Sequence, residues 1–454
     1  MHKNIELRAT APRILWLLRG QKELRDFRLS SISSSIFFKT NVVVNFLDQQ
    51  IILDDGKIEL SRVNFLKISE KIADFIAYTR LWKYRDRSIA CYIRAVNSFS
   101  LPWERPLFNG AEHMGALKKN WLLAFFVRFS AFSLPFYFLR FIFILVTFME
   151  SLRNRKYLRN YKIIVLYYGG YLGGYFDLLV ESIQLSGSKT FVIQSNWDNL
   201  SSKNYFSSEP DYFGVWGEQS KHHLLTIQRK PNIPVILLGN PRKVNIGSKA
   251  NTNPKILSGT GKLKKLSNSV ILAGHGEGVF DLNLLRTIIK IRKEINLHFD
   301  LIYKPHPFAR SSIIDQAFHL EFDNELILVE EEDLENNKLF FNFFNDASVL
   351  VSQMSTLCIE SLAIGTPVII PTFSAYRGAF NFEQAVNSLP HFVGVTLISG
   401  VSLARHETDL RNHIIKSIMN RISPGSVEWF CSDVTFSDEI VVALQEILDT
   451  EICN

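Results

Sequence analysis

The stretch LIYKPHPFARSS, residues 301–312, runs from apolar residues into Lys304 and then sets His306 between Pro305 and Pro307, with Arg310 and two serines beyond. Pro305 cannot donate to a sheet ladder, so a strand arriving at Lys304 has to end there. In an open α/β sheet the residues just past a strand end are the ones that meet ligands, because backbone N–H groups and helix dipoles converge at that edge. A histidine held between prolines at such an edge suits an anion. The same triplet also serves as a plain rigid turn.

Working outward, the neighbouring segments repeat one pattern. SVILA (269–273), FDLIYK (299–304), SVLVS (348–352) and PVIIP (367–371) read as short buried strands. Between them lie a helix capped by Asp281, with Leu284, Ile288, Ile291 and Ile295 on one face, and a shorter helix from Ser355 to Ile364 stopped by Gly365. Upstream, KIIVLYY (162–168), TFVIQ (190–194), DYFGVW (211–216) and PVILLG (234–239) alternate in the same way with helical stretches at 177–185 and from Glu218. GGYLGGYFD (169–177) reads as a flexible loop. Alternating short strands and helices specify α/β architecture with parallel sheets. The stretch from Asn240 to Lys265 is rich in Gly, Pro, Ser, Asn and Lys and lacks apolar periodicity. The expected organisation is an N-terminal Rossmann-like domain over 1–240, a linker over 241–265, and a second Rossmann-like domain over 266–425. A helical segment over 426–454 is free to return to the first domain.

A chain of 454 residues, 47% of them hydrophobic, is long enough for two such cores and too apolar for disorder. Its four cysteines are dispersed and form no CxxC, so neither a zinc site nor a disulfide framework is indicated. MHKNIELRATAPR lacks the apolar centre of a signal peptide, and a cytoplasmic protein is expected. A net charge of +7 is modest for this size and demands no nucleic acid partner.

The charge is nevertheless concentrated. WLLAFFVRFSAFSLPFYFLRFIFILVTFM (121–149) is followed at once by Arg153, Arg155, Lys156, Arg159 and Lys162. A spanning helix needs about 20 uncharged apolar residues, and Arg128, Pro135 and Arg140 divide this run into shorter pieces. Two arrangements stay open for 121–162: a buried core helix pair, or an interfacial hairpin on the inner face of the cytoplasmic membrane with its arginines reaching the headgroups.

Three strand ends of the second domain carry polar groups: Gly274-His275-Gly276-Glu277, Lys304 to Pro307, and Ser352 with Ser355 and Thr356. A lysine, imidazole donors and hydroxyls beside a helix start complement phosphoryl oxygens. Glu360, one turn into that helix, suits a ribose hydroxyl. Each group also has an ordinary structural role, Ser355 and Thr356 as a helix cap and the glycines as a turn. In the first domain NWDN (196–199) supplies Asp198 as a candidate base, Trp197 as a face for a sugar and Asn199 as a hydrogen-bonding neighbour. An Asx-turn explains the same residues. Glu218 and Asp177 are weaker candidates for the base. No DxD or clustered His/Asp pattern is present, so no metal and no cofactor beyond a substrate is expected.

The order strand-GHGE, strand-KPHP, strand-SQMST-helix-Glu360-GTPV resembles the donor half of GT-B glycosyltransferases, two Rossmann-like domains facing a cleft. It is most similar to the bacterial sialyltransferase-like and capsule polysaccharide enzymes, over about residues 160–425. The resemblance implies that His306, Ser355 and Thr356 contact the phosphate of a nucleotide-sugar donor. It further implies a CMP-activated acidic sugar, a sialic acid relative or Kdo, with Arg310 on its carboxylate or on the phosphate. The acceptor implied is a surface glycan or a lipid-linked one. The architecture also resembles CDP-polyol phosphotransferases of teichoic acid synthesis, from which QSNWDNLSSK (194–203) and SQMST depart, and nucleotide-sugar epimerases. A non-catalytic membrane scaffold of the same fold is the remaining alternative.

Overall fold

The computed structural model describes residues 13–18, 35–46, 50–52, 58–60, 66, 68–69, 72–73, 135–169, 173–202, 206–242, 268–274, 278–295, 297–305, 326–328, 347–373, 383, 386–387, 389–420 and 422–453. They form two compact units, one running to Arg242 and resuming at Val434, the other covering the chain between. Most of the expected linker and residues 121–134 lie outside the described residues.

The first unit carries a six-stranded parallel sheet in the order β2-β1-β5-β6-β7-β8. Its strands are β1 (Ile14–Leu18), β2 (Val42–Phe46), β5 (Ile163–Tyr168), β6 (Lys189–Gln194), β7 (Tyr212–Val215) and β8 (Val235–Leu237). A separate antiparallel pair, β3 (Gln50–Ile52) and β4 (Ile58–Leu60), stands apart from it. Every residue of β1 and β5 is buried, which is what strands covered on both faces require. Side-chain alternation divides them. Leu15, Leu17, Ile164, Leu166 and Tyr168 enter one core, with helices α2 (Pro135–Leu158) and α3 (Gly173–Leu185). Trp16, Ile163, Val165 and Tyr167 enter the other, where the C-terminal helix α9 (Phe436–Cys453) contributes Phe436, Ile440, Leu444 and Ile447. The chain end thus covers the second face of the first sheet.

Short helices α1 (Ile36–Asn41), α4 (Asn199–Ser202) and α5 (Glu218–Thr226) also belong to this unit. Helix α3 starts at Gly173, inside the stretch read from sequence as a loop. Asp211 pins the start of β6. Its carboxylate accepts from the Thr190 backbone N–H at 2.9 Å, the Thr190 hydroxyl at 2.9 Å, Gln184 at 3.1 Å and Lys189 Nζ at 3.1 Å. Burial pushes this carboxyl up, but the donors, led by Thr190, outweigh it and hold the group below its ordinary 3.8. A depressed folded-state value means stability that is present above pH 3.8 and lost as pH falls through the lower folded value. Asp211→Asn is therefore expected to flatten the acid limb of a urea-midpoint versus pH curve. An unchanged acid limb would show that these bonds do not favour the ionised form.

Helix α2 corrects the sequence expectation for the aromatic region. Pro135 is its first residue, where the missing N–H costs nothing, and Arg140 reaches solvent from within the helix, so neither divides it. It is one continuous helix of 24 residues; the hairpin expected over 121–149 also needs 121–134, which lie outside the described residues. Among the described residues no helix is long and apolar enough to cross a membrane.

The second unit has a six-stranded parallel sheet ordered β11-β10-β9-β12-β13-β14. Its strands are β9 (Ser269–Ala273), β10 (Asp300–Lys304), β11 (Ile327–Leu328), β12 (Val349–Ser352), β13 (Val368–Pro371) and β14 (Val401–Ala404). Counted along the unit this is 3-2-1-4-5-6, the doubly wound order of dinucleotide-binding folds. Val270, Leu272, Leu301, Tyr303, Val349 and Val351 pack on α6 (Gly278–Ile295) and α8 (Glu407–Asn420). Asp281 is not the expected cap of α6, since the helix begins three residues earlier; its carboxylate accepts the Tyr303 hydroxyl at 2.8 Å. Helix α7 (Thr356–Ala363) ends as expected at Gly365, with φ of 94°. Thr366 N–H to Ser361 O at 3.0 Å and Gly365 N–H to Leu362 O at 3.1 Å close a Schellman motif there.

Candidate functional site

The register of the second sheet aligns the polar strand ends. Lys304 and Ser352 both pair with Ala273, from opposite sides. Neighbouring strands lie about 4.8 Å apart, so the lysine and serine backbones are separated by about 10 Å with only a methyl between them. Alternation turns all three away from the face that carries Tyr303 and Val351. Gly274 follows directly, its N–H donating to Lys304 O at 2.8 Å. The row falls between β9 and β12, where the strand order reverses, the place at which open α/β sheets bind ligands.

Beyond β12 the chain turns into α7. Ser355 holds the N-cap position with φ −144° and ψ 162°, yet its side chain makes no capping bond. Its hydroxyl instead meets the Ser352 hydroxyl at 3.1 Å, and Ser352 Oγ donates to Gln353 O at 3.0 Å. The first N–H groups of α7 therefore have no side-chain cap and present the positive end of the helix at the sheet edge. Gln353, which sequence reasoning passed over, is 2% exposed, and neither its amide nitrogen nor its amide oxygen makes a hydrogen bond. An amide buried with both ends unmet is costly and marks a place where a polar partner belongs. The signal was its position in SQMST, where a buried turn residue is ordinarily apolar. Glu360 is 3% exposed on α7, about as buried as Gln353. The Cys358 thiol, pushed up by burial, donates to Gln353 O at 3.3 Å and is a packing group. His275, Gly276, Glu277, His306, Pro307 and Arg310 lie outside the described residues.

In the first unit the NWDN loop is wired from several directions. Gln194 donates to the carbonyls of Asn196 at 3.0 Å and Trp197 at 2.8 Å, and Arg242 donates to Ser195 O at 3.1 Å and Asn196 Oδ1 at 2.8 Å while lying over the Trp216 ring. Trp197 is fully buried and its indole N–H donates to Gln219 at 2.8 Å. The expected stacking face for a sugar is thus inside the core. Asn199 is also fully buried, and its amide nitrogen donates to Tyr168 O at 2.6 Å, a strut between strand ends. Asp198 remains half-buried at the turn into α4. Asp177 is excluded as a base, because its buried carboxylate is occupied by the backbone N–H and hydroxyl groups of Ser207 and Ser208. Glu218 pairs with Lys221 at 3.4 Å on the surface.

No family model matches the chain, and no curated protein does. Solved structures do. The chain is similar to a candidate UDP-N-acetylglucosamine 2-epimerase from Listeria monocytogenes, with 10% identity over 97% of this chain and 98% of that one and a TM-score of 0.51. A UDP-GlcNAc 2-epimerase from Neisseria meningitidis bound to UDP-GlcNAc matches at 11% identity, covering 96% and 100%, with a TM-score of 0.49. MurG from Acinetobacter baumannii matches at 10% identity, covering 96% and 100%, with a TM-score of 0.39. At such identities the likeness is one of fold, and it rests on the Listeria protein. Both units are Rossmann-like, and the fold is GT-B. None of these three is a sialyltransferase.

Proposed function

We propose that the protein is a nucleotide-sugar enzyme that holds the phosphates of its substrate at the sheet edge of the second unit. The observation that carries this is the row Lys304–Ala273–Ser352 at the strand-order reversal, facing a helix start without a side-chain cap and the unmet amide of Gln353. Lys304 supplies the cation and the N–H groups of α7 supply directed donors for phosphoryl oxygens, while Gln353 offers a donor and an acceptor to a ligand that reaches it. The hydroxyls of Ser355 and Thr356 add to the same set.

The substrate in this reading is a UDP-activated amino sugar, which replaces the CMP-sugar implied by the sialyltransferase-like resemblance. The Listeria neighbour is described as acting on UDP-N-acetylglucosamine, and epimerisation of such a sugar fits this neighbour better than CMP-sugar transfer. Transfer to a glycan or lipid-linked acceptor is a second reading, favoured by the exposed aromatic residues and adjoining cations of α2. In that case Asp198 is the base on the acceptor hydroxyl. Incubating the protein with UDP-GlcNAc alone and following sugar protons by NMR separates the two. A C2-epimerised product without acceptor supports epimerisation, whereas UDP release only on addition of an acceptor supports transfer. Neither product from any UDP- or CMP-sugar, with or without acceptor, would sink both.

A further inference from the structure

Helix α2 wears its apolar side outward. The face it turns into the first unit includes Phe143 and Val146, but also Thr147, Glu150, Ser151 and Asn154, all buried. These polar groups are engaged: Glu150 accepts from the Ser69 hydroxyl and the Leu66 N–H, Ser182 donates to Thr147 O at 3.3 Å, and Ser151 meets Ser186 at 3.3 Å. The opposite face carries Phe138 at 63% exposure, Phe141 at 62%, Phe148 at 51% and Leu152 at 52%, with Ile144, Leu145 and Met149 exposed alongside them. At 3.6 residues per turn the exposed apolar side chains occupy an arc of about 140° along about 21 Å of helix.

Cations frame this arc. Arg140 and Arg153 lie just outside its two edges, and Arg155, Lys156 and Arg159 continue it beyond Leu152, all exposed. The sole acid of the helix, Glu150, is buried. An apolar stripe bordered on both sides and at one end by cations, with no exposed acid of its own, is complementary to one kind of surface. We infer that α2 docks the protein on an anionic bilayer, lying in the plane of the interface with its phenylalanines among the upper acyl segments and its arginines and lysine at the lipid phosphates. A second copy of the chain fits less well, because parallel pairing of this face sets Arg155, Lys156 and Arg159 against their own counterparts and antiparallel pairing offers them no exposed acid of this helix. The inference is independent of the nucleotide-sugar reading.

Co-flotation with vesicles of phosphatidylcholine alone, or with added phosphatidylserine, tests it. The full chain is expected to bind the anionic vesicles and to release in high salt. Replacing Arg153, Arg155, Lys156 and Arg159 together by glutamine should lower partitioning by about a hundredfold or more. Phe141→Ser with Phe148→Ser should abolish binding while leaving the melting temperature unchanged, because both rings already face outward. Absence of vesicle binding at low salt overturns the inference. So does a Phe141/Phe148 variant that melts far below the wild type, which would make the stripe core, or one that converts a dimer to a monomer in light scattering, which would give the face to a second copy.

Discussion

Replacing His306 by alanine is expected to cut turnover of the nucleotide sugar by about a hundredfold or more while leaving the protein folded. Lys304 sits in the row that pairs with Ala273, and Pro305 follows it out of the sheet. His306 follows Pro305 and lies outside the described residues. In the transfer reading proposed above, the imidazole of His306 stabilises charge that grows on the leaving phosphate, an effect larger in the transition state than in the bound ground state. The loss should therefore appear mainly in kcat. Near-normal kcat in His306→Ala, with an unchanged melting temperature, would remove the histidine from the chemistry and leave Pro-His-Pro as a turn.

Asp177→Ala is expected to cost about 3 kcal/mol of stability or more, and to do so without any contribution from catalysis. The carboxylate lies buried on α3 and receives Ser207 N–H at 2.8 Å, Ser207 Oγ at 2.6 Å, Ser208 N–H at 2.8 Å and Ser208 Oγ at 2.8 Å. It is the anchor that fixes the chain entering Phe206 to Asp211 against the helix below. Truncation leaves two backbone donors in the interior without their acceptor, and bonds of this charged kind are worth more than neutral ones. Urea unfolding measures it. A change under about 1 kcal/mol would mean that the serines find other partners at little cost.

Much of the fold was legible because strands buried on both faces must be short continuous apolar runs. KIIVLYY, TFVIQ, SVILA and SVLVS each became a central strand, and the doubly wound class followed from their alternation with helices. Elements flanked by charge did not stand out: β1 lies inside APRILWLLRGQK, where Arg13 and Arg19 close around five buried residues. Helix α2 was divided in sequence by Pro135 and Arg140, because a sequence does not show that the proline stands at the first helical position or that the arginine faces solvent. The proposed phosphate edge was partly legible, since Lys304, Ser352 and Ser355 are polar where strands end. Its most telling member, Gln353, gives no local signal beyond its place in the turn. Trp197 shows the opposite failure. Its burial depends on Gln219, 22 residues away, and no spacing rule reports that hydrogen bond.

The claim that the second unit holds a nucleotide sugar at this edge is tested most directly by calorimetric titration of UDP and UDP-GlcNAc into the wild type and into two variants, Ser355→Ala with Thr356→Val, and Gln353→Leu. The wild type should bind both ligands, and each variant should bind at least about tenfold more weakly, the weight of one hydrogen bond to a charged group, with its melting temperature retained. Affinities unchanged by either substitution, or no binding of UDP, UDP-GlcNAc or CMP by the wild type, would contradict the assignment.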